Sequence, residues 1–363
     1  KGYLVEQMGA WPAPFGITLV ADVLSSLMVL LTAIVAFCIA IYSLVDIQLP
    51  DLRAGFYPAY NVLTLGLSGA FLTGDIFNLY VWFEVTLISS FVLLVLSGGK
   101  FQLEAAVKYA VLNLIATLLL LSAIALLYGV TGSLNLANLS VLVAKSHYRG
   151  LLTAIAVLFM MAFGMKAALF PLYFWLPASY HTSTYSTSAL FAGLLTKLGV
   201  YALIRLFTLV FLIHVAFLHG VLLILAGVTL VFGLLGSIAH YRLRRVFSFS
   251  LISHLGFIVA GLALATPLAL AGAIYYMVQH VFVKSALFLS AGVVRRFHKM
   301  KNKTLYRCHP FFAGLFFVAI LSLVGVPPFS GFWPKLMLLE ASVNAHQFWL
   351  TLLILFVSIF TLY

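Results

Sequence analysis

Charge is what this sequence has least of. Only 8% of its 363 residues are Asp, Glu, Lys or Arg, about a third of the roughly 25% usual in a soluble domain. With 64% of the residues apolar, a water-soluble fold of this length would leave a large apolar surface without polar cover. Lipid is therefore the predicted solvent for most of the chain, and counting domains by length does not apply. Cysteine is scarce too. Cys38 lies in an apolar run and Cys308 in a basic stretch, so neither a disulfide framework nor a metal-ligand spacing is present. No flavin, quinone or iron–sulfur motif occurs. The chain is predicted to hold no cofactor and no metal, and not to be an enzyme. It opens on Lys1 without a secretory signal pattern and stops within an apolar run, as a piece of a longer protein would.

Acidic residues are the scarcer of the two signs, eight against twenty basic ones, for a net charge of +12. Such an excess would suit nucleic acid, but the basic residues fall in short stretches between apolar runs. The positive-inside rule accounts for that pattern, so the predicted partner is a lipid bilayer and not a nucleic acid.

What the sequence has in abundance is apolar runs. At about 20 residues per spanning helix, it divides into about eleven segments near 16–45, 58–74, 75–97, 104–129, 150–176, 186–212, 215–239, 245–265, 267–294, 310–340 and 345–363. The predicted fold is all-α, a polytopic transmembrane bundle forming one domain over 1–363. The loops 240–245 (Arg242, Arg244, Arg245) and 295–307 (Arg295, Arg296, Lys299, Lys301, Lys303, Arg307) are two spans apart. They share a face, which the charge rule makes cytoplasmic. Residues 1–15 then lie outside, and the protein is placed in the cell (inner) membrane.

Proline interrupts two segments, at Pro171 in Lys166-Ala-Ala-Leu-Phe-Pro171 and at Pro327 and Pro328 in Gly325-Val-Pro-Pro-Phe-Ser-Gly331. Proline removes a backbone donor and opens the helix ladder. Two broken helices five segments apart match an inverted-repeat transporter, and ordinary membrane-helix kinks would also produce them.

Five ionisable residues stand out because they fall well inside or beside these breaks: Glu84, Lys166, Lys197, Lys284 and Lys335. A charged lysine at the bilayer centre costs roughly 2.5–3.5 kcal/mol on insertion scales. Four lysines against one carboxylate call for a hydrated interior path in which they pair or titrate. How tightly each holds its proton then depends on the charge of its neighbour, which is what a relay needs. His280 lies four residues before Lys284, on the same helix face. Lys335 is near a segment end and could instead snorkel. Glu84, Lys166 and Lys197 could be structural pairs, and His254 is as compatible with hydrogen-bonded packing as with a relay. Asp75 suits a helix N-cap, and Asp22 fits either a structural or a functional role.

The runs Gly74-Asp-Ile-Phe-Asn-Leu-Tyr-Val-Trp-Phe-Glu84, Lys166 to Pro177, Leu194-Leu-Thr-Lys197 to Arg205, His280-Val-Phe-Val-Lys284 and Gly325 to Lys335 together resemble the proton-translocating antiporter-like membrane subunits. That family includes subunits of respiratory complex I, of membrane-bound hydrogenases and of the Mrp-type multisubunit Na+/H+ antiporters. The opening Gly9-Ala-Trp-Pro-Ala-Pro-Phe-Gly-Ile-Thr-Leu-Val-Ala-Asp22 and the run Ser188 to Lys197 are most similar to the D-type branch of the Mrp antiporters. The resemblance implies a Glu84–Lys166 ion pair on facing helices, a central Lys197, a relay continued by His280 and Lys284, and an exit-side Lys335. It also implies antiport of protons against Na+ or another monovalent cation, within a hetero-oligomer of other membrane subunits. A redox-driven proton pump subunit or a non-transporting structural subunit would share much of the pattern. The stretch 181–188, His-Thr-Ser-Thr-Tyr-Ser-Thr-Ser, lacks the prolines usual in the family, which predicts a looser connection there.

Overall fold

Caps, glycines and prolines set where the apolar runs become helices. The protein is described from a computed structural model, which covers residues 2–212, 215–301 and 309–362, without the side chains of 215 and 297–301. A two-stranded antiparallel hairpin, β1 (Leu4–Gln7) and β2 (Thr18–Ala21), comes first. Helices follow: α1 (Val23–Asp46), α2 (Leu49–Arg53), α3 (Phe56–Leu72), α4 (Ile76–Val95), α5 (Lys100–Thr131), α6 (Leu136–Lys145), α7 (Arg149–Lys166), α8 (Trp175–Tyr180) and α9 (Tyr185–Leu190). A π-helical turn over Phe191–Leu195 leads into α10 (Thr196–Leu209). Then come α11 (Val215–Ile238), α12 (Leu243–Leu264), α13 (Pro267–Lys301), α14 (Pro310–Val324), α15 (Phe332–Asn344) and α16 (Phe348–Phe360). Among the described residues, eight helical spans are long and apolar enough to cross a membrane.

The chain separates into two compact units. The first comprises Lys1–Ala36, Leu49–Ala168 and Leu195–Leu218. In it α3 packs on α4, α4 on α5, α5 on α7, and α10 on both α7 and α3. Residues 18–21, expected at the start of the first span, form a strand instead. The run Ile17-Thr-Leu-Val favours extended backbone, and the Gly74 amide donates to the Thr18 carbonyl at 2.8 Å. The helix begins only after Asp22, where Ser25 N donates to Asp22 Oδ1 and Asp22 N donates to Ser25 Oγ, both at 2.8 Å. This reciprocal cap satisfies two amides that a helix start leaves open. Asp75 caps α4 by accepting from Asn78 N at 2.8 Å, and Asn135 caps α6. The α6 helix is absent from the segments expected of the sequence. Its ten residues rise only about 15 Å, half a bilayer core, so a length criterion passes over it.

The second unit comprises Phe37–Gln48, Leu169–Leu194 and His219–Tyr363. Its centre is α12 against α13, with α9, α14 and α15 on α13 and α8 and α15 on α12. Residues 181–188 are not a loose connection. Ser183 and Ser188 hydroxyls hydrogen-bond at 2.9 Å, Ser188 Oγ donates to Tyr180 O at 2.7 Å, and Ser186 N and Oγ both donate to Asp46 Oδ2 at 2.8 Å. Short hydroxyl side chains here do by hydrogen bonding what prolines do by ring closure. The stretch expected as a loop from 295 is helical through Lys301, and Lys303 and Arg307 lie outside the described residues.

The two proline breaks separate α7 from α8 and α14 from α15. Starting at α3, leaving out the short α6 and grouping the pieces of each broken helix, the break falls in the fourth helix of each run of five. An odd number of spans inserts a second copy upside down, so the chain order is that of an inverted repeat. Gly325 ends α14 at φ 83°, a left-handed conformation that glycine adopts without a Cβ clash.

Gly199 sits where α10 meets the end of α7. A Cβ there would lie 2.7 Å from Ala167 N and 3.0 Å from the Lys166 carbonyl carbon. Overpacking of this kind costs about 1–3 kcal/mol. Gly199→Val is therefore expected to lower the thermal unfolding temperature in detergent, whereas Gly220→Ala, with open space around it, leaves it unchanged. Arg205 pairs with Asp22 at 2.5 Å. Burial alone would raise the Asp22 carboxyl. The Arg205 hydrogen bond and charge, with the Ser25 bonds, outweigh it and bring the value from 3.8 to about 2. A carboxyl depressed on folding stabilises above its unfolded value and loses that contribution as pH falls through its folded one. Protection of residues 18–26 against hydrogen exchange, relative to the intrinsic rate at each pH, should therefore fall between pH 3.8 and about 2, and Asp22→Asn should remove that step.

Candidate functional site

Within the first unit, Lys166 ends α7, so its side chain meets the neighbouring helices where the regular ladder stops. It is 6% exposed, and its Nζ lies 4.8 Å from the centre of the Phe83 ring. Lys166 Nζ donates to Thr117 Oγ1 on α5 at 3.2 Å, and Thr117 Oγ1 donates to Glu84 Oε1 on α4 at 2.7 Å. The expected direct Glu84–Lys166 ion pair is thus not what forms: among the described residues the two are bridged by a hydroxyl. Glu84 is half-buried, not fully buried. A hydroxyl that accepts on one side and donates on the other can pass a proton by exchanging its own hydrogen.

Lys197 is fully buried in the first turn of α10, directly after the π-helical turn. Single π turns inside helices often mark functional positions. The Gly199 contact described above brings the backbone of the helix bearing Lys197 against the carboxyl end of the helix bearing Lys166.

The second unit holds its own cluster. Tyr276, His280 and Lys284 recur every four residues on α13 and share a face. Opposite them on α12 are Phe257, His254 and Ser250. Lys284 Nζ donates to Ser250 Oγ at 2.6 Å. The His254 and His280 rings stack at 5.5 Å, and the Tyr276 hydroxyl and His254 Nδ1 are hydrogen-bonded. Phe257 lies 5.3 Å from Tyr276, and Lys335 Nζ lies 5.1 Å from the Phe257 ring centre. His254, His280 and Lys284 are fully buried, and Lys335 is 4% exposed.

Lys335 does not snorkel. The break at Pro327 and Pro328 leaves the last carbonyls of α14 without amide donors. Lys335 Nζ donates to one of them, Val324 O, at 2.7 Å, and Gln279 Nε2 donates to another, Ser322 O, at 3.1 Å. After the first break, the Phe170 amide on the way to Pro171 donates to Thr229 Oγ1 at 3.0 Å. In lipid, backbone groups freed by proline need such partners.

Thr117, Ser250 and Tyr276 are not among the site residues expected from the sequence. Tyr276 carried a signal, since it precedes His280 by one helical turn. Thr117 and Ser250 carried none: hydroxyl residues are common in membrane helices, and only packing selects these two. Among the described residues, no group of three or more His, Cys, Asp or Glu side chains is placed to hold a metal ion.

The family model described as NADH:quinone oxidoreductase/Mrp antiporter, TM, matches residues 73–361. This chain belongs to that family. Two relatives named as the D-type subunits of Na(+)/H(+) antiporters, from Alkalihalophilus pseudofirmus and Bacillus subtilis, are 44% and 42% identical to it, each match covering 100% of this chain and 74% of the relative. A solved chain of the Mrp complex from Dietzia sp. DQ12-45-1b superposes with a TM-score of 0.89 at 31% identity, covering 99% of this chain and 68% of that one. Among members of the NADH:quinone oxidoreductase/Mrp antiporter family, the chain is thus similar to the D-type branch. It is a multi-span membrane protein, and the solved relative is part of a multisubunit membrane complex.

Thr117→Val keeps the shape but removes the hydroxyl between Lys166 and Glu84. Proton-coupled cation exchange in everted vesicles is expected to fall several-fold, and Thr117→Ser should restore it. Equal rates in all three proteins would show that the bridge carries nothing.

Proposed function

We propose that the chain is the D-type subunit of an Mrp-type cation/proton antiporter and that it carries protons through Glu84, Lys166, Lys197, His280, Lys284 and Lys335, with His254 as a further member. One observation carries this reading: all four lysines are buried within protein, and a hydroxyl or a carbonyl freed at a helix break holds Lys166, Lys284 and Lys335. Held charged in lipid, four lysines would cost roughly 10–14 kcal/mol on insertion scales. A chain selected only to fold would be expected to replace them with apolar residues.

In this reading a proton enters near Lys166 or Lys197. The hydroxyl of Thr117 lets Lys166 and Glu84 exchange a proton without touching, and the charge left on that pair sets how tightly Lys197 holds its own. The proton continues by Lys284, His280, His254 and Tyr276 toward Lys335. The coupled movement is extrusion of Na+ by the assembled complex, whose other membrane subunits are this chain's partners. Arg242, Arg244, Arg245, Arg295 and Arg296 mark the cytoplasmic face, and the amino-terminal hairpin lies on the other. The identities of 42–44% to named antiporter subunits favour this over a redox-driven pump subunit of the same family. Loss of exchange in Glu84→Ala and Lys166→Ala with the complex assembled would exclude a purely structural subunit.

Glu84→Ala and Lys166→Ala are each expected to reduce Na+-dependent proton movement in everted vesicles to background, with the complex still assembled on native gels. Unaltered exchange in both variants removes the relay.

A further inference from the structure

One charged cluster lies outside the relay. On α10, Lys197, Tyr201 and Arg205 recur every four residues and so share a face. Exposure rises along this stripe: Lys197 is 0% and Tyr201 2% exposed, while the Arg205 and Asp22 side chains are 21% and 28% exposed. The stripe thus runs from a buried lysine to the protein surface beside the hairpin.

A chain of hydrogen bonds holds its outer end. Arg205 Nη1 and Nη2 donate to Asp22 Oδ2 and Oδ1, both at 2.5 Å. Arg205 Nε donates to the Tyr201 hydroxyl oxygen at 2.9 Å, and that hydroxyl donates its hydrogen to Phe71 O at 2.6 Å. Ser25 N, donating to Asp22 Oδ1, fixes the carboxylate. Tyr201 therefore gives its one hydrogen to a backbone carbonyl, and a cation occupies its acceptor side. In this state the guanidinium charge beside its oxygen disfavours its taking a proton from the direction of Lys197.

We propose that Asp22, Arg205 and Tyr201 form a latch that closes a direct outward path from Lys197, so that its proton continues along the relay instead of leaking to the outside. This rests on the relay reading above. Asp22 and Arg205 are positioning residues, and Tyr201 is the group they hold. When Arg205 leaves Tyr201, the phenol oxygen can accept a proton coming from Lys197 while its own hydrogen passes to water at the outer face. Tyr201 ends unchanged, Lys197 ends neutral, and one proton has crossed without cation exchange.

The test uses the assembled complex in liposomes with pyranine inside, a potassium–valinomycin potential and no Na+ gradient. Asp22→Asn is expected to raise passive proton entry several-fold and to lower the Na+ exchanged per proton. Arg205→Gln, which keeps Asp22 but loses the fork, should do the same and serves if Asp22→Asn assembles poorly. Adding Tyr201→Phe to either should return the leak to the wild-type rate. The latch is overturned if assembled Asp22→Asn and Arg205→Gln leak no faster than wild type, or if the leak is indifferent to Tyr201→Phe. Failure of the relay itself is read separately, as retained Na+/H+ exchange in Lys166→Ala, and a leak measurement does not enter it.

Discussion

In lipid a freed backbone carbonyl or an isolated ammonium has no water to turn to, and each finds its partner within the protein. At the second proline break, the carbonyls of Ser322 and Val324 lose their amide donors, and Gln279 and Lys335 supply new ones. The ammonium gains a place in the apolar slab because the helix is broken there, and the break is tolerated because the ammonium is there. Helix interruption and buried charge in this chain are two sides of one requirement.

The same requirement explains why polar groups come in strings. Lys166 reaches Glu84 through Thr117, and Lys284 rests on Ser250. His254, Tyr276 and His280 stack face to face on two helices. A buried polar group placed alone would cost several kcal/mol. A string in which hydroxyls accept from one neighbour and donate to the next lowers that penalty, and it is also the arrangement along which a proton can move. Stability and conduction make the same demand on the side chains, so neither conflicts with the other in the interior of the bundle. Where they do conflict is at the rim, because a string that reaches water also offers a leak. The partly exposed Asp22–Arg205 pair is the group proposed to guard that point.

Much of the architecture is legible in the residues alone. The apolar runs locate the spans, with ends displaced by up to about ten residues, because a helix in lipid must be long and apolar. Pro171, Pro327 and Pro328 locate the breaks because proline cannot donate. What the runs do not reveal are elements whose existence depends on neighbours. The strand at Thr18–Ala21 is apolar enough for a span and is extended because β1 and Gly74 complete its hydrogen bonds. The α6 helix is too short for any span criterion. The extent of α13 beyond 294 lies in a charged stretch that composition reads as loop.

Composition by itself determined that the chain lives in a membrane, since too few charges are present to cover it in water. The sequence by itself also singled out the ionisable residues that lipid makes costly: Glu84, Lys166, Lys197, His280, Lys284 and Lys335. Tertiary structure alone decided their partners. That Thr117 stands between Glu84 and Lys166, that Tyr276 joins His254, and that Arg205 holds both Asp22 and Tyr201 depends on packing between positions as far apart as residues 22 and 205. Helix periodicity orders side chains along one helix, whereas a hydrogen bond between two helices depends on how their faces meet.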